Sequence, residues 1–124
     1  MLTIHLPYPP SGNHMWKHTR SGKHYLTDQA RSYYEHVSML VRYEKGASVE
    51  YAGRLAVTCY IYPPDNRRRD LDNVWKVISD GLTKAGVWLD DTQIDHLTLI
   101  RKEPVKQGVI RVSVAPIDEN PLTC

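Results

Sequence analysis

Phenylalanine is absent from this 124-residue chain, and cysteine occurs only twice. Cys59 sits in an apolar run and Cys124 is the last residue. A disulfide framework or a cysteine-based zinc site therefore has no raw material. No apolar stretch approaches the roughly 18 residues that a membrane helix requires. The opening MLTIHLPYPP lacks the basic leader and long apolar core of a signal peptide. A cytoplasmic address with no membrane attachment is expected. No repeat, low-complexity tract or linker divides the chain, which reads as one small domain over 1–124. No Ser-His-Asp or Cys-His arrangement presents itself, and no glycine-rich phosphate loop, so no nucleotide cofactor is expected.

What is present is unevenly distributed. A net charge of +2 conceals a balance of +5 over residues 1–69 and −3 over 70–124. A basic first half and an acidic second half suit two jobs, gripping a polyanion and holding cations. The aromatic residues are all tyrosine and tryptophan, rings with a polar handle, which suits a wet surface.

Periodicity predicts the order β-α-β-α-β-β, a mixed sheet with two helices in an α/β (α+β) domain. Leu2, Ile4 and Leu6 alternate with polar residues over 2–6, and Pro7, Pro9 and Pro10 end that strand. Residues 7–26 follow as a long, basic, polar loop, a length that is usually functional in a small domain. Thr27 or Asp28 caps a helix over 28–45, with Gly46 past its end. Residues 54–62 alternate as a strand, and PPDNRRRD makes a charged turn. Over 71–85, Leu71, Val74, Trp75, Ile78, Leu82 and Ala85 form one apolar stripe, ended by Gly86. Strands at 94–102 and 108–115 flank KEPVKQG as an expected hairpin, and 116–124 reads as a tail.

The chemistry concentrates at Asp70-Leu71-Asp72-Asn73, then Lys76, with Asp90-Asp91 after the helix. Leu71 belongs to the buried stripe, so Asp70 and Asp72 point elsewhere. Asp72 and Lys76 are one turn apart and share a face. A fold that returned the chain after Gly86 could bring a further carboxylate towards them. Clustered carboxylates repel unless a cation lies between them. Hard oxygen donors without histidine or cysteine select Mg²⁺, or Mn²⁺ in its place. Such an ion polarises a phosphodiester. A nearby lysine stabilises charge developing on phosphate, and Arg67, Arg68 and Arg69 suit a phosphate backbone. A blander reading makes Asp70 a helix cap and Asp72–Lys76 an exposed ion pair of a few tenths of a kcal/mol.

The segment RRRDLDNVWKVISDGLTKAGVWLDD resembles the core of the RusA family of Holliday junction resolvases. The opening PYPPSGNHMWKH and the Pro and Gly of EPVKQG are similar too, and the likeness is weakest over 27–53. The resemblance implies a homodimeric, Mg²⁺-dependent endodeoxyribonuclease, often phage-encoded, that resolves branched four-way DNA. It places the metal-binding acids at Asp70, Asp72 and Asp91 and the essential lysine at Lys76. Asn73 is carried over as a helper in DNA contact, and Asp90 as a supporting acid. A homodimer has a physical reason, since resolving a junction needs two symmetry-related nicks and this chain has one candidate site.

Other residues are weighed on the same terms. Asn13, Lys17, Arg20 and Lys23 of the polar loop are candidate DNA contacts. His14, His18 and His24 have no acid or cysteine beside them and fit phosphate contact better than zinc. Tyr8, Trp16 and Tyr25 either stack on bases or pack under the loop. Tyr60 and Tyr62 line an interface, line a groove or simply pack; Asp80 and Asp95 read as surface. Two rivals stay open: a junction-binding protein that does not cut, and a metal nuclease for RNA or another branched substrate.

Overall fold

The computed structural model describes residues 2–11, 15–18, 24–45 and 50–117. Strand β1 (Leu2–Leu6) is followed by two short strands, β2 (Trp16–His18) and β3 (His24–Leu26). Helix α1 (Asp28–Lys45), strand β4 (Leu55–Tyr62) and helix α2 (Leu71–Lys84) come next. A single 3₁₀ turn (Asp91–Gln93) leads into β5 (Ile94–Arg101), and β6 (Val109–Pro116) closes the fold. The two-helix mixed-sheet domain is as the periodicity predicts.

Two expectations about connectivity need correction. Part of the polar stretch 7–26 is a ribbon, in which β2 and β3 pair antiparallel with Lys17 opposite Tyr25. Strands of three residues are too short to show an alternation. The ribbon's base is fixed by burial of Met15, 1% exposed, and by the Thr27 amide donating to the Met15 carbonyl at 3.0 Å. The second correction concerns the expected hairpin. The sheet order is β1-β6-β4-β5, so β5 and β6 lie on opposite sides of β4. β5 runs parallel to β4, as the return strand of a βαβ unit does, while β6 runs antiparallel to both β4 and β1. Burial supplies the reason. Ile110, Val112 and Val114 of β6 are fully buried in the middle of the sheet, whereas most of β5 is exposed and suits an edge.

The helices cover one face of the sheet. Leu55, Val57, Cys59 and Ile61 of β4 meet the buried faces of α1 (Ala30, Tyr33, Val37, Val41) and α2 (Val74, Val77, Ile78, Leu82). Each aliphatic side chain so buried stabilises by about 2 kcal/mol. The buried face of α2 is displaced from the predicted stripe: Leu71, Trp75 and Ala85 are half-buried, while Val77 and Gly81 are buried. Gly81 lies on this buried side, where a Cβ would stand 3.3 Å from the Tyr34 ring of α1. On the other face of the sheet, Arg111 stacks over the Tyr60 ring at 4.4 Å, and Tyr62 is half-buried. Pro116 belongs to β6, and 118–124 lie outside the described residues, as does Gly46. No helix among the described residues is long and apolar enough to cross a membrane.

The turn before β6 is the tightest point. Gly108 has φ +70°, and a Cβ there would stand 2.9 Å from Tyr8 Cβ and 3.0 Å from the Tyr62 carbonyl. Gly86 has φ +81° but open space around it. Both glycines relieve backbone strain, and only Gly108 also permits a close approach. Gly86→Ala is expected to cost about 1 kcal/mol and Gly108→Ala about 2–3 kcal/mol, measured as urea unfolding midpoints on the two variants.

Candidate active site

Loop 63–70 joins β4 to α2 and carries the charge. Asp70 occupies the N-cap position of α2 with φ −85° and ψ 132°, yet its side chain makes no cap hydrogen bond. Its carboxylate instead accepts a long 3.5 Å contact from Asn73 Nδ2. An aspartate at that position ordinarily bonds the free amides of the first turn, so the cap reading does not describe Asp70. Asp72, in the first turn, and Lys76, one turn later, are both exposed. The ion pairs among the described residues do not include Asp72 with Lys76, so the surface-pair reading does not hold either. The positive end of the helix dipole favours the two exposed carboxylates.

Asp91 reaches the same helix from the other direction. Asp72, Lys76, Ser79 and Thr83 fall at i, i+4, i+7 and i+11, one stripe along α2. Ser79 is 2% exposed, and its hydroxyl donates to Asp91 Oδ2 at 3.3 Å. Thr83 Oγ1 donates to the Ser79 carbonyl at 2.8 Å and accepts from the Trp88 indole at 2.7 Å. Trp88 is 1% exposed and backs the segment that carries Asp91. Ser79 lies about 10 Å along the helix axis from Asp72, at 1.5 Å per residue. Asp91 is thus pinned to the stripe of Asp72 and Lys76, towards its far end. Among the described residues, no three His, Cys, Asp or Glu side chains gather closely enough to hold one metal ion.

Asp90 has a different job. It caps the 3₁₀ turn in a reciprocal box with Gln93, whose Nε2 donates to the Tyr51 and Gly53 carbonyls at 2.9 Å. The Thr92 amide, followed by the neighbouring Asp91, holds the Asp90 carboxyl below its ordinary value. Asp95 pairs with Arg54, which fixes the start of β5.

A groove of about 960 Å³ runs beside the start of α2. Its walls bring Asp70, Asn73 and Lys76 together with Arg68, Arg69 and Asp80. Pro9, Pro10 and Met15 complete the side nearest the β2–β3 ribbon. Arg67 is not part of the groove's lining; its side chain is 83% exposed, with Nε 3.7 Å from Asp65 Oδ2. Arg69 is far less free at 24%, held by a 2.7 Å bond from Nη1 to Asp65 Oδ1. Arg101 Nη2, from the end of β5, donates to the Arg69 carbonyl at 2.6 Å and fixes the backbone just before Asp70. Lys17 lies in β2, while Asn13, Arg20 and Lys23 lie outside the described residues.

Sequence reading missed Asp65, Ser79 and Arg101. The i, i+4 spacing of Asp65 and Arg69 was a visible signal for the first. Ser79 and Arg101 act through tertiary contacts that no local pattern records.

In donor type, the exposed aspartate oxygens of Asp70 and Asp72 suit a hard divalent cation, but the described residues do not gather three such side chains at one point.

The Asp65 carboxyl is pulled from 3.8 to about 2, chiefly by the hydrogen bond from Arg69 and then by the Arg67 amide. A lowered folded-state value gives stability that is present above the unfolded value and lost as pH falls through the folded one. Between about pH 4 and pH 2, Asp65→Asn is therefore expected to lose less stability than the parent, measured as urea midpoints across that interval.

A family model described as endodeoxyribonuclease RusA matches residues 7–115. The crossover junction endodeoxyribonuclease rusA of Enterobacteria phage 82 is 35% identical, over 92% of this chain and 95% of that protein. The protein of that name in Escherichia coli K12 is 34% identical, over 90% and 92%. That of Enterobacteria phage HK97 is 34% identical, over 91% and 92%.

Proposed function

Because the chain belongs to the endodeoxyribonuclease RusA family, we propose that it is a metal-dependent nuclease that resolves four-way DNA junctions in recombination and repair, within the cytoplasm of a bacterial or phage-infected cell. The observation that carries the reading is the groove beside α2, lined together by an unused cap carboxylate, a lysine without an ion pair among the described residues, and two arginines. Acids alone would repel a phosphate, and arginines alone would bind it without cutting.

The residues divide the work. Arg68 and Arg69 hold backbone phosphates at the groove, joined by Arg67 and, from the polar stretch, by Asn13, Lys17, Arg20 and Lys23. Asp70 and Asp72 hold a divalent cation, Mg²⁺ by hardness with Mn²⁺ as a substitute, and Asp91 serves from its place beside Ser79. When bound, that ion withdraws charge from the scissile phosphate and eases attack by water. Asn73 donates to Asp70 and limits its swing. Lys76 places a positive charge where negative charge grows on the phosphate oxygens, a contribution present mainly in the transition state. A homodimer supplies two such grooves, one for each of two symmetric nicks.

A junction-binding protein without cleavage is the second reading, favoured by the spread of Asp70, Asp72 and Asp91 along α2. A labelled four-way junction beside a linear duplex of the same sequence decides between them. Paired symmetric nicks in the junction alone are expected with Mg²⁺ or Mn²⁺, and none with a chelator. Asp70→Asn, Asp72→Asn, Asp91→Asn and Lys76→Ala are each expected to lower the cleavage rate about 10²–10³-fold while junction binding persists. Tight binding without cutting in either metal would establish the second reading.

A further inference from the structure

Asp65 is an acid set among arginines beside a proposed DNA groove, which simple charge counting would disfavour. Its Oδ1 accepts from Arg69 Nη1 at 2.7 Å and from the Arg67 amide at 2.9 Å, so one oxygen ties residue 65 to both. The Arg69 guanidinium carbon lies 5.7 Å from the centre of the Tyr8 ring, within range of a cation–π contact. Tyr8 is itself fixed, since Gly108 admits it at close range. Its hydroxyl is buried without a hydrogen-bond partner among the described residues. Among the described residues, the hydrogen bonds that Arg69 makes from its side chain all leave from Nη1, which leaves Nε and Nη2 as donors there.

We infer that Asp65 is a positioning residue that holds the Arg69 guanidinium against Tyr8, with Nε and Nη2 ready for a backbone phosphate. An unanchored arginine gives up several rotamers on binding, and one already held by a carboxylate does not. The carboxylate's cost in charge is offset by this prior ordering. The inference rests on the reading that Arg69 grips DNA.

Two explanations predict opposite signs. If Asp65 acts only through its charge, removing it tightens polyanion binding. If it positions Arg69, removing it weakens binding. The test uses the full chain with a fluorescent four-way junction in chelator, so that nothing is cut, at several salt concentrations. Asp65→Ala is expected to weaken binding about fivefold, the scale of one partly exposed charged hydrogen bond. Asp65→Asn should weaken it less, because its amide oxygen still accepts. Arg69→Ala should also weaken binding, and adding Asp65→Ala to it should change nothing more. The slope of log affinity against log salt should become shallower by about 0.9 in Arg69→Ala, as for one lost phosphate contact, and stay near the parent's in Asp65→Ala, where the unheld guanidinium still reaches its phosphate. Should Asp65→Ala fail to fold, Asp65→Asn carries the comparison alone: weaker binding than the parent supports the role. Binding by the Asp65 variants as tight as the parent or tighter, with Arg69→Ala weakened, overturns the inference and leaves Arg69 as a DNA contact. Unchanged binding by Arg69→Ala removes the DNA reading of Arg69 and the inference with it.

Discussion

The roll of helix α2 against the sheet is the constraint on which everything else depends. Val74, Val77, Ile78 and Leu82 are buried against β4 and α1, and no other rotation of the helix buries all four. That rotation leaves Asp72 and Lys76 in solvent and turns Ser79, of the same stripe, inward to meet Asp91. Gly81 keeps α1 close, since a Cβ there would stand 3.3 Å from the Tyr34 ring. The chemistry is thus aimed by a packing interface that contains none of it.

The two ends of α2 are fixed by different means. At the start, Asp65 and Arg101 hold Arg69 by its side chain and its carbonyl. Asp70 therefore enters the helix from a pinned backbone, with its carboxylate unspent on capping. At the far end, Thr83, Trp88 and the Asp90–Gln93 box hold the returning segment so that Asp91 faces the helix. Rigid support around a few exposed charged groups suits a site that meets its phosphate and its cation from solvent. Under the proposed function, the arginines would draw the DNA backbone in, and the acids beside them would hold the divalent ion that meets its phosphate.

Much of this was legible in the sequence, and the failures have physical reasons. The alternation of β4, the helical period of α2 and the Asp-Leu-Asp-Asn start of that helix are local patterns, and local patterns survive in sequence. Which strands pair is not local. β5 and β6 look like a hairpin because a turn separates them, yet β6 lies on the far side of β4, between β4 and β1. The β2–β3 ribbon escaped notice because three residues cannot display a period. Val77 joins the buried face through its tertiary packing, which the helical period alone does not record. In the site, Asp70, Asp72 and Lys76 were visible as a motif. Ser79, which fixes Asp91, was visible only as a polar residue on the same face, and its partner lies 12 positions away.

The central claim is that the acids carried by or pinned to α2 hold the divalent ion. Adding Mn²⁺ in small steps to isotope-labelled protein, and following paramagnetic broadening of each backbone amide, tests it without any cutting. Broadening first at Leu71, Asp72 and Asn73 together with Asp91 and Thr92 is the expected result, abolished in Asp72→Asn. Broadening centred on acids elsewhere, such as Asp28, Glu35 or Glu44 of α1, with the amides of α2 left sharp, would contradict it.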